Sequence, residues 1–417
     1  MELMEKLRSD DCWNEFLTYK TEQKGMRKEE LAALKQFVEE KKYVPAVNRI
    51  LEDYRLSTPV LAEVNKIGVN KKRIVFQFPE EENFVLKLVA YLATRQYDGI
   101  FEENLFSFRY NRGVKKGINY IRRRVNFRNT YSYKVDIRDY FNSINPHKMI
   151  ALLKEALPEE PMFLRLFKNV LLDPYVIRNG ETVEWRKGVM AGMPLSGFFA
   201  NLYLSCMDRW FAEHSVPYIR YSDDVIVFAK TEEEIKELET VIHSFLDREG
   251  LEINERKVIR TVPGEIIEFL GFEFHDWSVN LARISVDKIK GKLHRKARSL
   301  YRWKLRKGVE DIKAVKAFVK YLNRKFYDNP VHGEITWARW YFPLLTEDDR
   351  LTEIDDYSIQ CMRYIAAGNY SKKAYQLRYK TIQELGYHSL VNSFWRFRKG
   401  LYDKDERSSA KTKKNPK

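Results

Sequence analysis

The stretch YIRYSDDVIVFA (218–229) consists of two apolar runs that meet at a polar tip. β-Branched and aromatic residues dominate both runs, so the stretch predicts a β-hairpin. Asp223 and Asp224 stand side by side at its tip. Adjacent carboxylates raise each other's pKa unless a cation lies between them, and Mg²⁺ prefers carboxylate oxygens. The tip therefore indicates a metal site, although an Asp-Asp pair alone also fits an ordinary polar turn.

A further carboxylate stands upstream, in KVDIRDYFNSI (134–144). Asp136 lies near the end of YSYKVDI (131–137), whose composition predicts a strand. Carboxylates from a strand and a neighbouring hairpin can clamp two divalent ions roughly 3.5–4 Å apart for in-line phosphoryl transfer. Such transfer needs positioning and charge neutralisation rather than a nucleophilic side chain. The three aspartates therefore favour phosphoryl-transfer chemistry.

The composition favours a polyanionic partner. The 417 residues include 74 Lys and Arg against 59 Asp and Glu, for a formal charge of +15. Cys12, Cys206 and Cys361 are far apart, which argues against a zinc site or a disulfide framework and fits a reducing cytosol. The sequence shows neither an apolar signal segment at its start nor a run of 18 apolar residues. We expect a cytoplasmic protein that does not contact membranes.

Changes in pattern along the chain predict four segments. Residues 231–250 give the clearest helix, with a capping box at Thr231 and Glu234 and a closing Gly250. Beyond about residue 285, basic helices replace the mixture of helices and strands. The segments are an N-terminal helical extension (1–70), a mixed region (71–284), a basic helical region (285–400) and a disordered basic tail (401–417).

Taken in chain order, these motifs resemble the reverse-transcriptase family, particularly bacterial enzymes related to group II introns, retrons and abortive-infection systems. YSDD resembles the family's YxDD box, and KVDIRDYFNSI resembles its first aspartate box. KGVMAGMPLSGFFANLYL (187–204) is similar to the pattern KGxPQGxxxSxxxANxxL, and FSFRYNRGVKKGI (106–118) to the fingers-to-palm segment. GLEINERKV (250–258) and FLGFEF (269–274) resemble the lysine-ending segment and the primer-grip hairpin.

The resemblance implies an α+β right-hand polymerase, with fingers, a palm built on an antiparallel sheet, and a helical thumb. Residues 71–284 would form fingers and palm, and residues 285–400 the thumb and a C-terminal extension. The implied activity is RNA-directed DNA synthesis with two Mg²⁺ ions, Mn²⁺ being the alternative. The implied partners are a template RNA, deoxynucleoside triphosphates and a DNA or RNA–DNA product. The chain's length and helical ending resemble small defence-associated bacterial enzymes that work with a structured noncoding RNA.

The resemblance also implies roles for individual residues. Asp136, Asp223, Asp224 and the carbonyl of Ile137 would hold the metal ions, and Phe141 would be the steric gate against a ribose 2′-hydroxyl. Lys72 and Arg73 would meet the triphosphate, Lys257 the pyrophosphate, and Ser196 and Asn201 the template and nucleotide pocket. The predicted nucleic-acid contacts are Lys288, Lys290, Lys292, Arg295, Lys296, Arg298 and Arg302.

The residues taken singly leave simpler interpretations open. Phe141 fits an ordinary core position, Arg73 and Lys257 fit solvated surface charges, and Asn201 fits a satisfied buried amide. The sequence also departs from the family pattern, because Met190-Ala191-Gly192 replaces PQG. That change affects the expected template and nucleotide contacts.

Several functions share these motifs. One is a polymerase in antiphage defence that copies a partner noncoding RNA. Others are a retron- or intron-type enzyme without a defence role, a template-independent or protein-primed polymerase, and a non-catalytic RNA-binding protein on a polymerase scaffold. The sequence does not choose a primer, a template or an oligomeric state.

Overall fold

The computed structural model describes most of the chain as two compact units, Met1–Pro263 and Gly264–Lys417. The division falls before the boundary expected at 285, because residues 267–281 pair with one another as strands of the second unit. The predicted tail lies, apart from Leu401, outside the described residues. Those residues are 2–23, 26–65, 72–185, 188–327, 337–369 and 372–401, without the side chains of 65, 72, 73 and 373.

The first unit combines helices with largely antiparallel sheets, which confirms the α+β class predicted for a right-hand polymerase. Its strands are β1 (Val60–Asn65), β2 (Lys72–Gln77), β3 (Tyr131–Asp136), β4 (Tyr175–Arg178), β5 (Glu181–Glu184), β6 (Tyr218–Tyr221), β7 (Asp224–Ala229) and β8 (Ile259–Thr261). Its helices are α1 (Leu3–Lys6), α2 (Asp10–Gln23), α3 (Lys28–Glu39), α4 (Tyr43–Asp53), α5 (Glu80–Gln96), α6 (Val114–Arg124), α7 (Tyr140–Ser143), α8 (Pro146–Ala156), α9 (Pro161–Leu172), α10 (Ser196–Tyr203), α11 (Ser205–Glu213) and α12 (Glu232–Glu249).

The central sheet of this unit has the strand order β6-β7-β3-β8, all antiparallel. Both middle strands bury apolar side chains, among them Val135, Val225 and Val227. β7 is buried on both faces after its first residue, which explains its near-continuous apolar sequence. Helix α12 packs against β3 and β7. The sheet is therefore a rigid support for the residues at the ends of its two middle strands.

Helix α12 begins and ends where the sequence predicts. Thr231 accepts a hydrogen bond from the Glu234 amide (3.2 Å), and the Glu234 side chain accepts one from the Thr231 amide (3.3 Å). Gly250 ends the helix with a φ of 68°, a left-handed conformation that glycine adopts without strain. The capping box and the glycine stop are both confirmed.

A second sheet, in the order β2-β1-β4-β5, joins the N-terminal part of the chain to the segment after α9. β1 lies within residues 1–70, so that stretch is helical only as far as α4. The early helices share one core with α5, and Trp13 and Phe16 of α2 are fully buried in it.

A buried ion pair lies beneath the central hairpin. Arg220 of β6 is fully buried and donates from Nε to Oδ1 of Asp208 on α11 (2.8 Å). Tyr218 donates to the same oxygen (2.8 Å), and Arg220 also donates to the Asn201 carbonyl (2.9 Å). Removing one partner of such a pair strands a buried charge and costs about 3–5 kcal/mol. The pair thus fixes β6 relative to α10 and α11.

The second unit has a three-stranded antiparallel sheet of β9 (Ile267–Phe269), β10 (Phe272–His275) and β11 (Ser278–Leu281), in the order β11-β10-β9. The alternating stretch IIEFLGFEF (266–274) predicts a strand pair, and β9 and β10 form it. β11 is a strand that the sequence does not predict. The helices of this unit are α13 (Arg283–Lys307), α14 (Asp311–Phe326), α15 (Trp337–Tyr341), α16 (Asp349–Ala367), α17 (Tyr379–Glu384) and α18 (Leu390–Arg398).

Helix α16 organises the second unit. α13, α14 and α18 all pack against it. Its buried Asp355 accepts hydrogen bonds from the Tyr387 hydroxyl (2.7 Å), the Ser389 hydroxyl (2.6 Å) and the Leu390 amide (2.9 Å). This carboxylate therefore caps α18 and ties it to α16.

Two further comparisons with the sequence concern helices. The apolar pattern of LSGFFANLYLSCMDRWFAEH (195–214) predicts one helix, but the stretch forms two helices, α10 and α11, which meet at Leu204. Across the ranges that the structure describes, every helix is too short or too polar to cross a bilayer.

Candidate active site

The register of the central sheet brings the predicted aspartates together. Asp136, the last residue of β3, is the direct cross-strand partner of Asp224, the first residue of β7. Side chains of directly opposed residues lie on the same face of a sheet, with Cβ atoms about 4.5–5.5 Å apart. Residues 88 positions apart in the sequence therefore share one end of two adjacent strands.

The turn that carries Asp223 is held from two sides. Ser222 has a φ of 63°, an uncommon backbone conformation for a residue other than glycine. Its amide donates to Oγ of Ser107 (2.8 Å), and the Ile137 amide donates to the Asp223 carbonyl (2.9 Å). These bonds fix the turn to the end of β3, where the expected metal ligands Asp136 and Ile137 lie.

The three carboxylates concentrate negative charge, and nearby residues of the protein neutralise only part of it. Burial, with the neighbouring charge of Asp223, raises the pKa of the Asp224 carboxyl to about 6. Lys257 donates from Nζ to Oδ2 of Asp136 (2.6 Å), and Asn254 donates to Oδ1 (3.2 Å). Lys257 is thus not only a solvated surface charge, because its ammonium compensates the buried Asp136 carboxylate.

These residues fit a divalent cation by the chemistry of their donors. Asp136, Asp223 and Asp224 offer hard carboxylate oxygens, which Mg²⁺ and Mn²⁺ prefer. Burial of Asp224 among like charges makes an added cation favourable. Across the described residues, no three His, Cys, Asp or Glu side chains are already gathered as a metal cluster. The binding of two ions and the part of Ile137 in it stay predictions.

Phe141 lies on the short helix α7, directly after β3, and its side chain is half-buried. The Val189 amide donates to the Phe141 carbonyl (2.9 Å). Gly188 has a φ of 54°, and a Cβ there would lie 2.2 Å from that carbonyl oxygen. The close approach requires glycine at this point of the segment 187–204. The role of Phe141 as a gate stays a prediction.

Ser196 and Asn201 are buried and bond within the protein. Ser196 donates to the Val189 carbonyl (2.8 Å), and Asn201 donates to the Ser107 carbonyl (2.7 Å) and accepts from the Ser107 hydroxyl (3.0 Å). Asn201 is therefore a satisfied buried amide, as one of the open interpretations held. Both residues position the segments around the site, and their contact with template or nucleotide stays a prediction.

The backbone of Lys72 and Arg73 belongs to β2, where Arg73 pairs with Val64. The side chains of both residues lie outside the part of the chain that the structure describes. Their predicted contact with the triphosphate therefore stays a prediction.

Helix α13 carries the predicted nucleic-acid contacts of the second unit. Val286, Ile289, Leu293, Ala297 and Leu300 form its buried face. The opposite face exposes five of the predicted cations: Lys288, Lys292, Arg295, Arg298 and Arg302.

The other two predicted cations of α13 differ from these five. Lys290 forms an ion pair with Glu353 (2.5 Å), and Lys296 lies over the Tyr321 ring (5.4 Å). Both are half-buried, so the exposed face is the one suited to a phosphate backbone.

Sequence reasoning missed residues that support the site from within. Ser107 holds the Ser222 turn, Asn254 binds Asp136, and Arg220 with Asp208 anchors β6. Each residue acts through a hydrogen bond to a residue in another segment of the chain, so no local sequence pattern marks it. Arg220, a charged residue inside the apolar run before YSDD, was the one available signal. A charge buried in a strand needs a partner of opposite charge, so its position could have predicted the ion pair.

The raised pKa of Asp224 predicts a pH-dependent stability. A carboxyl whose pKa is higher in the folded state stabilises the protein most at low pH, and that contribution is lost as the pH rises through 6. Asp224→Asn should therefore leave stability unchanged near pH 4 and raise it above pH 6 by up to about 3 kcal/mol. Chemical denaturation with a chelator present, at several pH values, measures this gain.

Excess Mg²⁺ should shrink the gain, since the ion stabilises the ionised wild-type site. Asp247→Asn, which changes an exposed carboxylate of α12, is the matched control. An equal gain in both variants would contradict the assignment of the charge to this site.

The exposed face of α13 predicts salt-dependent binding to nucleic acid. The variant Lys292→Glu/Arg295→Glu should weaken RNA binding and lower the slope of log K against log salt by about 2. Filter binding across a salt series measures the slope. Lys28→Glu/Lys35→Glu on α3 applies the same charge change to exposed positions of the first unit. Equal effects of the two double variants would show that only net charge matters.

Comparisons with known proteins agree with the motifs. Residues 82–274 match the family described as reverse transcriptase (RNA-dependent DNA polymerase). The retron Ec86 reverse transcriptase of Escherichia coli is 23% identical over 164 residues, 38% of this chain and 47% of that enzyme. The match thus spans about half the length of this curated relative.

Solved telomerase structures are also similar. Apo telomerase from Candida tropicalis, truncated from its C-terminal domain, is 13% identical with a TM-score of 0.45, covering 55% of each chain. Telomerase from Candida albicans in complex with a TWJ fragment of telomeric RNA is 12% identical with a TM-score of 0.42, covering 84% of this chain and 66% of that one. The ordered motifs, the register of the aspartates and the family match together identify residues 82–274 as a reverse-transcriptase domain.

Proposed function

We propose that the chain is an RNA-directed DNA polymerase that adds deoxynucleotides to a 3′-hydroxyl. The observation that carries this proposal is the pairing of Asp136 with Asp224 at the end of the central sheet, beside the turn that holds Asp223. The match of residues 82–274 to the reverse-transcriptase family supports it. A non-catalytic RNA-binding protein would not need three carboxylates gathered at high electrostatic cost.

In this proposal Asp136, Asp223 and Asp224 hold two Mg²⁺ ions, with Mn²⁺ as the alternative. The ions would supply activation of the 3′-hydroxyl and neutralisation of the departing pyrophosphate. The strand ends position the carboxylates rigidly, so little reorganisation is needed during phosphoryl transfer. Lys257 places Nζ 2.6 Å from Oδ2 of Asp136, and its side chain is 56% exposed. The ammonium is therefore accessible to donate a proton to the leaving group.

The nucleotide selected is proposed to be a deoxynucleoside triphosphate. Phe141 follows Asp136 by five positions, and its half-buried ring belongs to the helix that begins next to the site. A ring at this point would occupy the space of a ribose 2′-hydroxyl. Lys72 and Arg73 are proposed to meet the triphosphate of the same nucleotide.

The partner is proposed to be a structured noncoding RNA that serves as template, in antiphage defence. The exposed basic face of α13 supports an extended polyanionic partner. The partial match to a retron enzyme favours a second candidate, a retron-like reverse transcriptase without that role.

Sequencing of nucleic acid that copurifies with the protein, from cells with and without phage infection, distinguishes the two candidates. The defence proposal predicts one abundant RNA species and complementary DNA whose amount changes on infection. RNA and complementary DNA whose amounts are independent of infection would support the retron-like candidate instead.

The polymerase proposal predicts loss of synthesis without loss of fold. Asp136→Asn and Asp223→Asn should each lower primer extension by at least about a thousandfold, because each removes a charge that holds the ions. Extension of a DNA primer on an RNA template measures activity, and thermal unfolding checks the fold. Asp247→Asn should retain full activity. Wild-type rates in either site variant would remove the metal-clamp mechanism.

A further inference from the structure

Phe108 lies against the proposed gate but belongs to another segment of the chain. Its ring meets the ring of Phe141 edge to face, with centroids 6.1 Å apart and planes at 79°. Edge-to-face geometry at this distance is favourable because the positive edge of one ring meets the negative face of the other. Phe108 is 49% exposed, although a phenylalanine of ordinary core function would be covered.

The backbone at Phe108 is held in an uncommon conformation. Its φ is 51°, a value that is rare for a bulky residue. Both neighbours are anchored: Ser107 bonds to Asn201 and to the Ser222 amide, and Arg109 binds Asp98 through Nε and Nη2 (2.8 and 2.9 Å). Conformations of this kind persist where the surroundings impose them, and they cluster at functional sites.

A glycine in helix α10 seats the Phe108 ring. A Cβ added to Gly197 would lie 2.4 Å from a carbon of that ring, so only glycine allows this approach. Glycine inside a helix is unfavourable relative to alanine, and the close contact gives a reason for it here. The segment 187–204 thus contacts both residues at glycines, the backbone carbonyl of Phe141 at Gly188 and the ring of Phe108 at Gly197.

We propose that Phe108 is a specificity-determining positioning residue, which holds the Phe141 ring where it excludes a ribose 2′-hydroxyl. The inference rests on the proposed role of Phe141 as the gate. Without the Phe108 ring, Phe141 loses a contact on one side and gains rotamer freedom. The protein would then discriminate less between deoxynucleoside and ribonucleoside triphosphates, while its carboxylates and their support stay intact.

The test measures kcat/KM for a deoxynucleoside and for the matching ribonucleoside triphosphate, on a DNA primer and a defined RNA template. The ratio of the deoxynucleotide value to the ribonucleotide value does not depend on the fraction of folded enzyme. Phe108→Ala should lower the ratio about two- to tenfold. Phe141→Val should lower it further, and adding Phe108→Ala to Phe141→Val should cause no additional loss, because the ring that Phe108 positions is then absent.

Tyr110→Ala is the matched control, since it removes a 44% exposed aromatic ring from the same loop. The ring of Tyr110 packs on Arg95 rather than on Phe141. This variant should leave the ratio within about twofold of the wild type. If Phe108→Ala and Tyr110→Ala lower the ratio equally, general disturbance of the loop explains the loss and the inference is overturned.

Two further outcomes separate this inference from the gate itself. If Phe141→Val lowers the ratio and Phe108→Ala does not, the gate stands and the role of Phe108 is refuted. If Phe141→Val leaves the ratio unchanged, the gate is misassigned and the inference fails with it. Should Phe108→Ala fail to fold, Phe108→Leu and Gly197→Ala, which displaces the same ring, should each lower the ratio.

Discussion

The antiparallel register between β3 and β7 is the constraint on which the site depends. It sets Asp136 opposite Asp224, and the side-chain period of a strand is two residues. A slip of one residue would turn one carboxylate to the other face of the sheet. Hydrogen bonds at the strand ends hold this register, because the Ile137 amide donates to the Asp223 carbonyl and the Ser222 amide donates to Ser107. The backbone of the turn and the placement of the carboxylates are therefore fixed together.

The electrostatic cost of this arrangement appears in the residues around it. Lys257 and Asn254 compensate Asp136, whereas Asp224 keeps a raised pKa. Lys257 comes from the segment after α12, so the helix that covers the sheet also delivers the balancing charge. The charge balance at the site thus depends on three consecutive parts of the first unit: β7, α12 and the segment that follows α12.

Features with a local physical cause could be predicted from the sequence. The hairpin at 218–229, the strand before Asp136 and the capped helix α12 follow from side-chain period and turn chemistry. The break at Leu204 and the strand β11 could not be predicted, because tertiary packing rather than local pattern decides them. The role of Ser107 could not be predicted either, because it rests on hydrogen bonds to residues far along the chain.

The interior pair of Arg220 and Asp208 has a consequence for how the protein would fail under heat or denaturant. The hairpin with the aspartates cannot loosen on its own, because its first strand is bound to α11 through groups that have no access to water. Local opening there would cost nearly as much as melting the surrounding core. Inactivation and loss of the first unit's structure should thus coincide in one cooperative transition, without an inactive but otherwise folded form preceding it.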